Sequence, residues 1–354
     1  MDFDLSDDQQ ALRDAALDLL AKRCPVERVR EVMDAGGAGG FDPELWAAMA
    51  DQGWLGVVTP EHRGGLGLGM VEAAILLEQT GAHLAPVPLA PHLLAVLATQ
   101  HLDDHPDGLG EALATGGRIG TAARTSLTRN ADGTVSGRTE PVVFGATASV
   151  LVVPAGDELV AVDLAGVPRS PEPAMDRTRE LAWIELAAAP ATTLGDAAAR
   201  DAHLNRGALA YAADMLGCAE AVMGLAVDYA KQRHQFGRPI GSFQAVKHRC
   251  ADMLVDVEGM RSAVYYAAWA LGAGDPEASV AASTAKIWCS DAGLRVAESA
   301  LQVFGGLGFT WDCDVHLYLK RAQLDQLTFG DATWHRARLM QLLRARLASG
   351  GSII

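Results

Sequence analysis

Residues 229–248 read YAKQRHQFGRPIGSFQAVKH, and a long apolar-periodic segment lies on either side of them. Helix-length patterns cover about 198–233, 244–272 and 276–303, with shorter ones at 314–328 and 332–347. The first three far exceed the three turns of an average globular helix. Long helices joined by so few residues must pack antiparallel, so this half of the chain is constrained to a helical bundle with short loops. Within the joint, Phe236, Gly237, Pro239 and Gly241 stop one helix, and Ser242 can cap the next. Arg233 falls at the C-terminal end of the first. A cation there complements the macrodipole, and its guanidinium fork can also grip an anion through two hydrogen bonds.

The segments before this bundle divide into two kinds. Residues 6–23 open with Ser6 as a good N-cap and set Leu12, Ala15, Ala16, Leu19 and Leu20 on one face, which predicts an amphipathic helix. Asp42 and Pro43 open another, as cap and N1, carrying Leu45, Trp46, Met49 and Ala50 and stopping near Gly53. Further helices are expected over 70–81 and 91–100. The glycines of 55–69 lack the lysine and preceding strand of a phosphate loop, and read instead as a tight connection. After Gly116 the apolar runs shorten to strand length, at 142–144, 149–154 and 158–164. Turn signals at Asp132-Gly133 and Asp157 punctuate them, which predicts a small β domain up to Leu194.

Composition narrows the function classes. A net charge of −15 with no block of Lys or Arg argues against binding to nucleic acid or to an anionic membrane. No apolar run approaches the ~20 residues of a membrane span, and the acidic first residues are unlike a secretory leader. The 5 cysteines are scattered and never spaced as CxxC, as expected of reduced thiols in a cytoplasmic protein.

Arg233, three residues before Phe236-Gly237 and followed after a short loop by Gln244, resembles the signature of the acyl-CoA dehydrogenase family. A second motif, QVFGGLGF at 302–309, resembles the family's turn against the ADP half of a flavin. The resemblance covers essentially the whole chain. It implies an α+β, mainly α fold with an N-terminal helical domain (1–116), a small middle β domain (117–195) and a C-terminal four-helix bundle (196–354). It further implies FAD as cofactor, an acyl-CoA thioester as substrate and an electron-transfer flavoprotein as electron acceptor. By the same resemblance, Arg233, Gln235, Phe236, Gln244, Gln302, Gly305 and Gly306 hold the FAD of a neighbouring subunit. Arg321 matches a family Arg, although Ala322 stands where Asp is usual, and Arg261 matches another near the pocket.

Two departures shape the expected function. The family removes the substrate's α-proton with a Glu while the β-hydrogen leaves as hydride to the flavin, and one position for that Glu lies just before the last helix. Here the stretch reads TFGDAT, with Gly330 in the Glu position and Asp331 one residue on. As N-cap of the final helix, Asp331 has a simpler role. The β domain also lacks the hydroxyl pattern and the Trp that shape the isoalloxazine pocket, at 120–128 and 140–148. The expected protein is therefore one subunit of a heteromeric, α2β2-type acyl-CoA dehydrogenase, with no catalytic base of its own. It would contribute FAD-binding residues to a second family subunit, for an acyl group as bulky as a steroid side chain. The alternatives are a self-sufficient enzyme using Asp331, or a non-catalytic, regulatory family member.

Overall fold

Ser6 Oγ accepts from the Gln9 amide at 3.3 Å, and Gln9 Oε1 accepts from the Ser6 amide at 3.0 Å. This reciprocal capping box starts α1 (Asp7–Arg23) in the computed structural model, which describes residues 4–35, 40–100 and 108–350. Next come α2 (Val26–Ala35) and α3 (Pro43–Asp51). Asp42 caps α3 as expected, accepting from the amides of Glu44 and Leu45 at 3.0 and 3.1 Å. Three more helices follow: α4 (Met70–Ala82), α5 (Leu89–Thr99) and α6 (Leu109–Ala114). The short α2 and α6 were not anticipated from sequence. In the glycine-rich connection, the amides of Gly65, Leu66, Gly67 and Leu68 donate to carbonyls of the loop itself, and that of Gly69 donates to Glu72 Oε2. Amides satisfied in this way form a tight connection, not a phosphate cradle.

Eight strands make one mixed sheet. They are β1 (Gly120–Ala122), β2 (Thr128–Arg129), β3 (Thr134–Arg138), β4 (Val142–Val143), β5 (Val150–Ala155), β6 (Glu158–Asp163), β7 (Arg169–Glu172) and β8 (Leu181–Gly195). Their order is β1-β5-β6-β8-β3-β2, with β4 and β7 also paired to the long β8. Among the described strand pairs, only β1 and β5 run parallel. Strand β5 is buried along its whole length and centres a core with Leu127, Val135, Val160, Val162 and Ile184.

From there the chain is helical: α7 (Ala197–Gln232), a hairpin of β9 (His234–Gln235) and β10 (Arg238–Pro239), then α8 (Gln244–Gly272), α9 (Ala278–Phe304), α10 (Val315–Leu327) and α11 (Ala332–Ala348). Among the described helices, α7 is long and apolar enough to cross a membrane, which the sequence reading had not allowed for. Its most apolar window is 67% buried inside the protein, as in a core helix.

The chain packs as two compact units. One comprises residues 23–76 and 86–207 and holds the sheet. The other comprises residues 1–22, 77–85 and 208–354 and holds the bundle. In the bundle unit, the end of α4 crosses α7 with backbones in contact. A Cβ on Gly217 would lie 1.8 Å from Glu78 O, and one on Gly81 would lie 2.1 Å from Asp214 O. Only glycine allows that approach.

Candidate functional site

Helix α7 ends at Gln232, and Arg233 makes a last helical bond by donating its amide to Tyr229 O at 2.8 Å. The chain then reverses. Gln235 pairs with Arg238 and His234 with Pro239, and Ile240 donates to Arg233 O at 2.8 Å. A two-residue hairpin turn of this kind needs left-handed backbone at both central residues, and Phe236 and Gly237 have φ of 53° and 76°. Phenylalanine is an uncommon residue in that region, and here Phe236 is 91% exposed. The expectation for Ser242 is corrected. A 3-10 turn over Ile240–Ser242 delivers Phe243 to the N-cap of α8, with no side-chain cap. The Ser242 hydroxyl is buried and has no hydrogen-bond partner among the described residues.

The second motif ends α9. Gly305 has φ 61° and ψ −141°, a region that glycine alone enters easily. A Cβ on Gly306 would meet nothing within 4 Å, so no neighbour within the chain requires the missing side chain. Tyr229 and Phe304 stack with centroids 4.2 Å apart and planes 13° from parallel. That stack lies one turn before Arg233 and one residue before Gly305, and it brings the two motifs together.

All the residues expected to hold the dinucleotide lie in the bundle unit. Arg233, Gln235, Phe236, Gln244, Gln302 and Gly306 are exposed, and Gly305 is half-buried. The side chains of Arg233, Gln235, Gln244 and Gln302 make no hydrogen bond or ion pair with other described residues. Unpaired guanidinium and amide groups, an exposed aromatic ring and open glycine backbone fit the charged middle of a flavin dinucleotide. Their donors are not used within the described chain.

The stretch before α11 is closed. Asp331 Oδ1 accepts from the Trp334 amide at 2.7 Å, the N-cap of α11. Phe329, at φ 60°, stacks on Tyr211 at 5.7 Å, and its carbonyl bonds His335 Nε2 at 3.0 Å. Gly330 has φ 98°, and a Cβ there would come within 2.8 Å of the Trp334 ring and 3.2 Å of His335 Nε2. Arg321 is fully buried, paired with Asp214 at 3.4 Å and donating to Leu84 O at 3.3 Å. Lys286 of α9 is also fully buried. Its Nζ donates to the carbonyls of Asp325 and Gln326 at 2.7 and 3.0 Å, and burial pushes the amine down to about 8.

Sequence reading missed Glu78, whose signal was a lone carboxylate in the apolar run AAILLEQTG. It is buried, with Arg261 Nη1 at 2.7 Å and the Tyr265 hydroxyl donating to it at 2.5 Å. Arg261 is thus no ordinary surface residue, and it also pairs with Glu220 at 2.8 Å. Burial holds the Glu78 carboxyl above its usual range, against the pull of Arg261 and Tyr265. These groups line a cavity of about 1070 Å³, together with Gln10, Arg13, Asp14 and Leu17 of α1.

With this fold and these motifs, the chain belongs to the acyl-CoA dehydrogenase family, FAD-dependent oxidoreductases acting on CH–CH bonds. Residues 6–105 match the family's N-terminal domain and residues 195–343 its C-terminal domain. Acyl-CoA dehydrogenase IpdE2 of Mycolicibacterium smegmatis is 36% identical over 320 residues, 90% of this chain and 93% of that protein. Among solved structures, a variant of the Tcur3481–Tcur3483 steroid ACAD matches with a TM-score of 0.89 and 31% identity, over 97% of this chain and 99% of that one. The ChsE4–ChsE5 complex from Mycobacterium tuberculosis matches with a TM-score of 0.89 and 29% identity, over 98% and 99%.

Proposed function

We propose that this chain is one subunit of a heteromeric acyl-CoA dehydrogenase. It contributes Arg233, Gln235, Phe236, Gln244, Gln302, Gly305 and Gly306 to FAD seated mainly in a second, non-identical family subunit, and that subunit supplies the base. The observation that carries this reading is the closure at Gly330. The position where the family's Glu is expected has left-handed backbone and no room for a Cβ beside Trp334, while Asp331 next to it is engaged as a helix cap. The outward-facing, partnerless clamp supports the same division of labour.

Two similar structures are a ChsE4–ChsE5 complex and a Tcur3481–Tcur3483 steroid ACAD, each named for two components. That supports a paired assembly, and a bulky substrate such as a steroid side-chain acyl-CoA. An electron-transfer flavoprotein is the proposed acceptor and the cytoplasm the proposed compartment. The test is expression alone and together with a candidate partner. Alone, the chain binds little flavin and does not dehydrogenate acyl-CoA; together, both properties appear. A yellow, active homo-oligomer from this chain by itself overturns the proposal.

A further inference from the structure

The hairpin that carries Arg233 and Gln235 also carries a second guanidinium. Directly opposed residues in an antiparallel pair point to the same face, as do residues two apart along a strand. Arg238 is paired with Gln235, and Ile240 is bonded to Arg233 across the same ladder. Arg233, Gln235 and Arg238 therefore share one face of the hairpin. Arg238 is exposed and has no carboxylate or hydrogen-bond partner among the described residues. Its guanidinium stacks on Phe243, with Cζ 4.1 Å from the ring centroid. Phe236 packs edge-on against the same ring, centroids 6.0 Å apart.

This placement is electrostatically unfavourable in the chain alone. Phe243 is the N-cap of α8, so the guanidinium is held at the positive end of a 29-residue helix. No Asp or Glu occurs from Tyr229 to Ala251, although the protein carries a net charge of −15. Lys231 is neutralised by Asp228 at 3.0 Å, but Arg233 and Arg238 are not neutralised within the described chain. Two forks on one face are matched by an anion with several oxygens, such as a diphosphate.

We propose that Arg238 is a second phosphate-binding residue, acting beside Arg233 on the adenosine-linked diphosphate of the dinucleotide. The inference rests on the clamp reading above and adds to it the stacked guanidinium. Phe243 fixes the plane of the fork and leaves its N–H edge for the phosphate oxygens.

Calorimetric titration of the two-subunit complex, stripped of its flavin, with ADP at low and high salt tests it. The wild-type complex binds ADP more tightly than AMP or adenosine. Arg238→Ala in this chain lowers ADP affinity roughly tenfold and Arg238→Lys by about threefold, because the lysine keeps the charge without the planar stack. FAD displaces the bound ADP. Unchanged ADP affinity in an assembled complex carrying Arg238→Ala overturns the proposal. So does failure of the wild-type complex to bind ADP, or displacement by coenzyme A but not by FAD. The clamp reading fails on a different result, full flavin retention by the two-subunit complex carrying Arg233→Ala.

Discussion

Gly330 shows how much one residue can decide. Its φ of 98° disfavours any side chain, and the Trp334 ring 2.8 Å from a built Cβ leaves no room for one. Installing a glutamate there means moving Trp334, and overpacking of that kind costs about 1–3 kcal/mol. Gly330→Glu is therefore expected to lower stability by about that amount in chemical denaturation, and to confer no dehydrogenase activity on the isolated chain. Activity in the folded variant would contradict this. Asp331 behaves as a cap, so Asp331→Ala costs about 1 kcal/mol and leaves the rate of the complex within a few-fold. A loss of several orders of magnitude would make Asp331 the base instead.

Two buried histidines contribute to the response to pH. His92 accepts from the Gly120 amide at Nδ1 and faces Leu113 O with Nε2 at 3.0 Å, and burial pushes its pKa down to about 4. Burial does the same to His203, which bonds Ala123 O. A histidine depressed in the folded state binds its proton mainly after unfolding. Its stabilisation is present above pH 6.5 and lost as pH falls towards about 4, on the order of 3 kcal/mol for each histidine. The melting temperature should fall steeply across that window, and the double variant His92→Gln, His203→Gln should fall less steeply. A flat wild-type profile would refute it.

Among the elements, the crossing of α4 and α7 is the least tolerant. Gly217→Ala would drive a methyl into Glu78 O, and a loss of about 3 kcal/mol is expected in urea unfolding. A loss below about 0.5 kcal/mol would mean that the helices can part freely. The long helices were legible because apolar period and breakers agree: α8 starts and ends where the pattern placed it, and α7 and α9 differ by one or two residues. Helix α2, which starts directly after Pro25, does carry a period, burying Val29, Val32 and Met33, but is only ten residues long and was not anticipated; the six-residue α6 is too short to show one. The Arg233 and Gly305 motifs were readable as words. Their meeting was not, because it depends on the Tyr229–Phe304 stack between residues far apart in the chain. The closure at Gly330 was equally hidden. A missing Glu is visible in a sequence, whereas the ring that keeps it out is not.

At the scale of the molecule, the account is a separation of roles between two polypeptides of one family. This chain holds partnerless donors at its surface, and its place for a base is closed. The family match says which chemistry the family performs, and these local features support the share of it proposed for this chain. If the flavin's charged middle rests on this chain while its reactive ring lies in the partner, damage here must be felt there. The most direct measurement is the flavin-to-protein absorbance ratio of the co-purified complex with Arg233→Ala in this chain and the partner unaltered. The account predicts a complex that still assembles but has lost most of its flavin. An assembled complex with its full flavin content would contradict it.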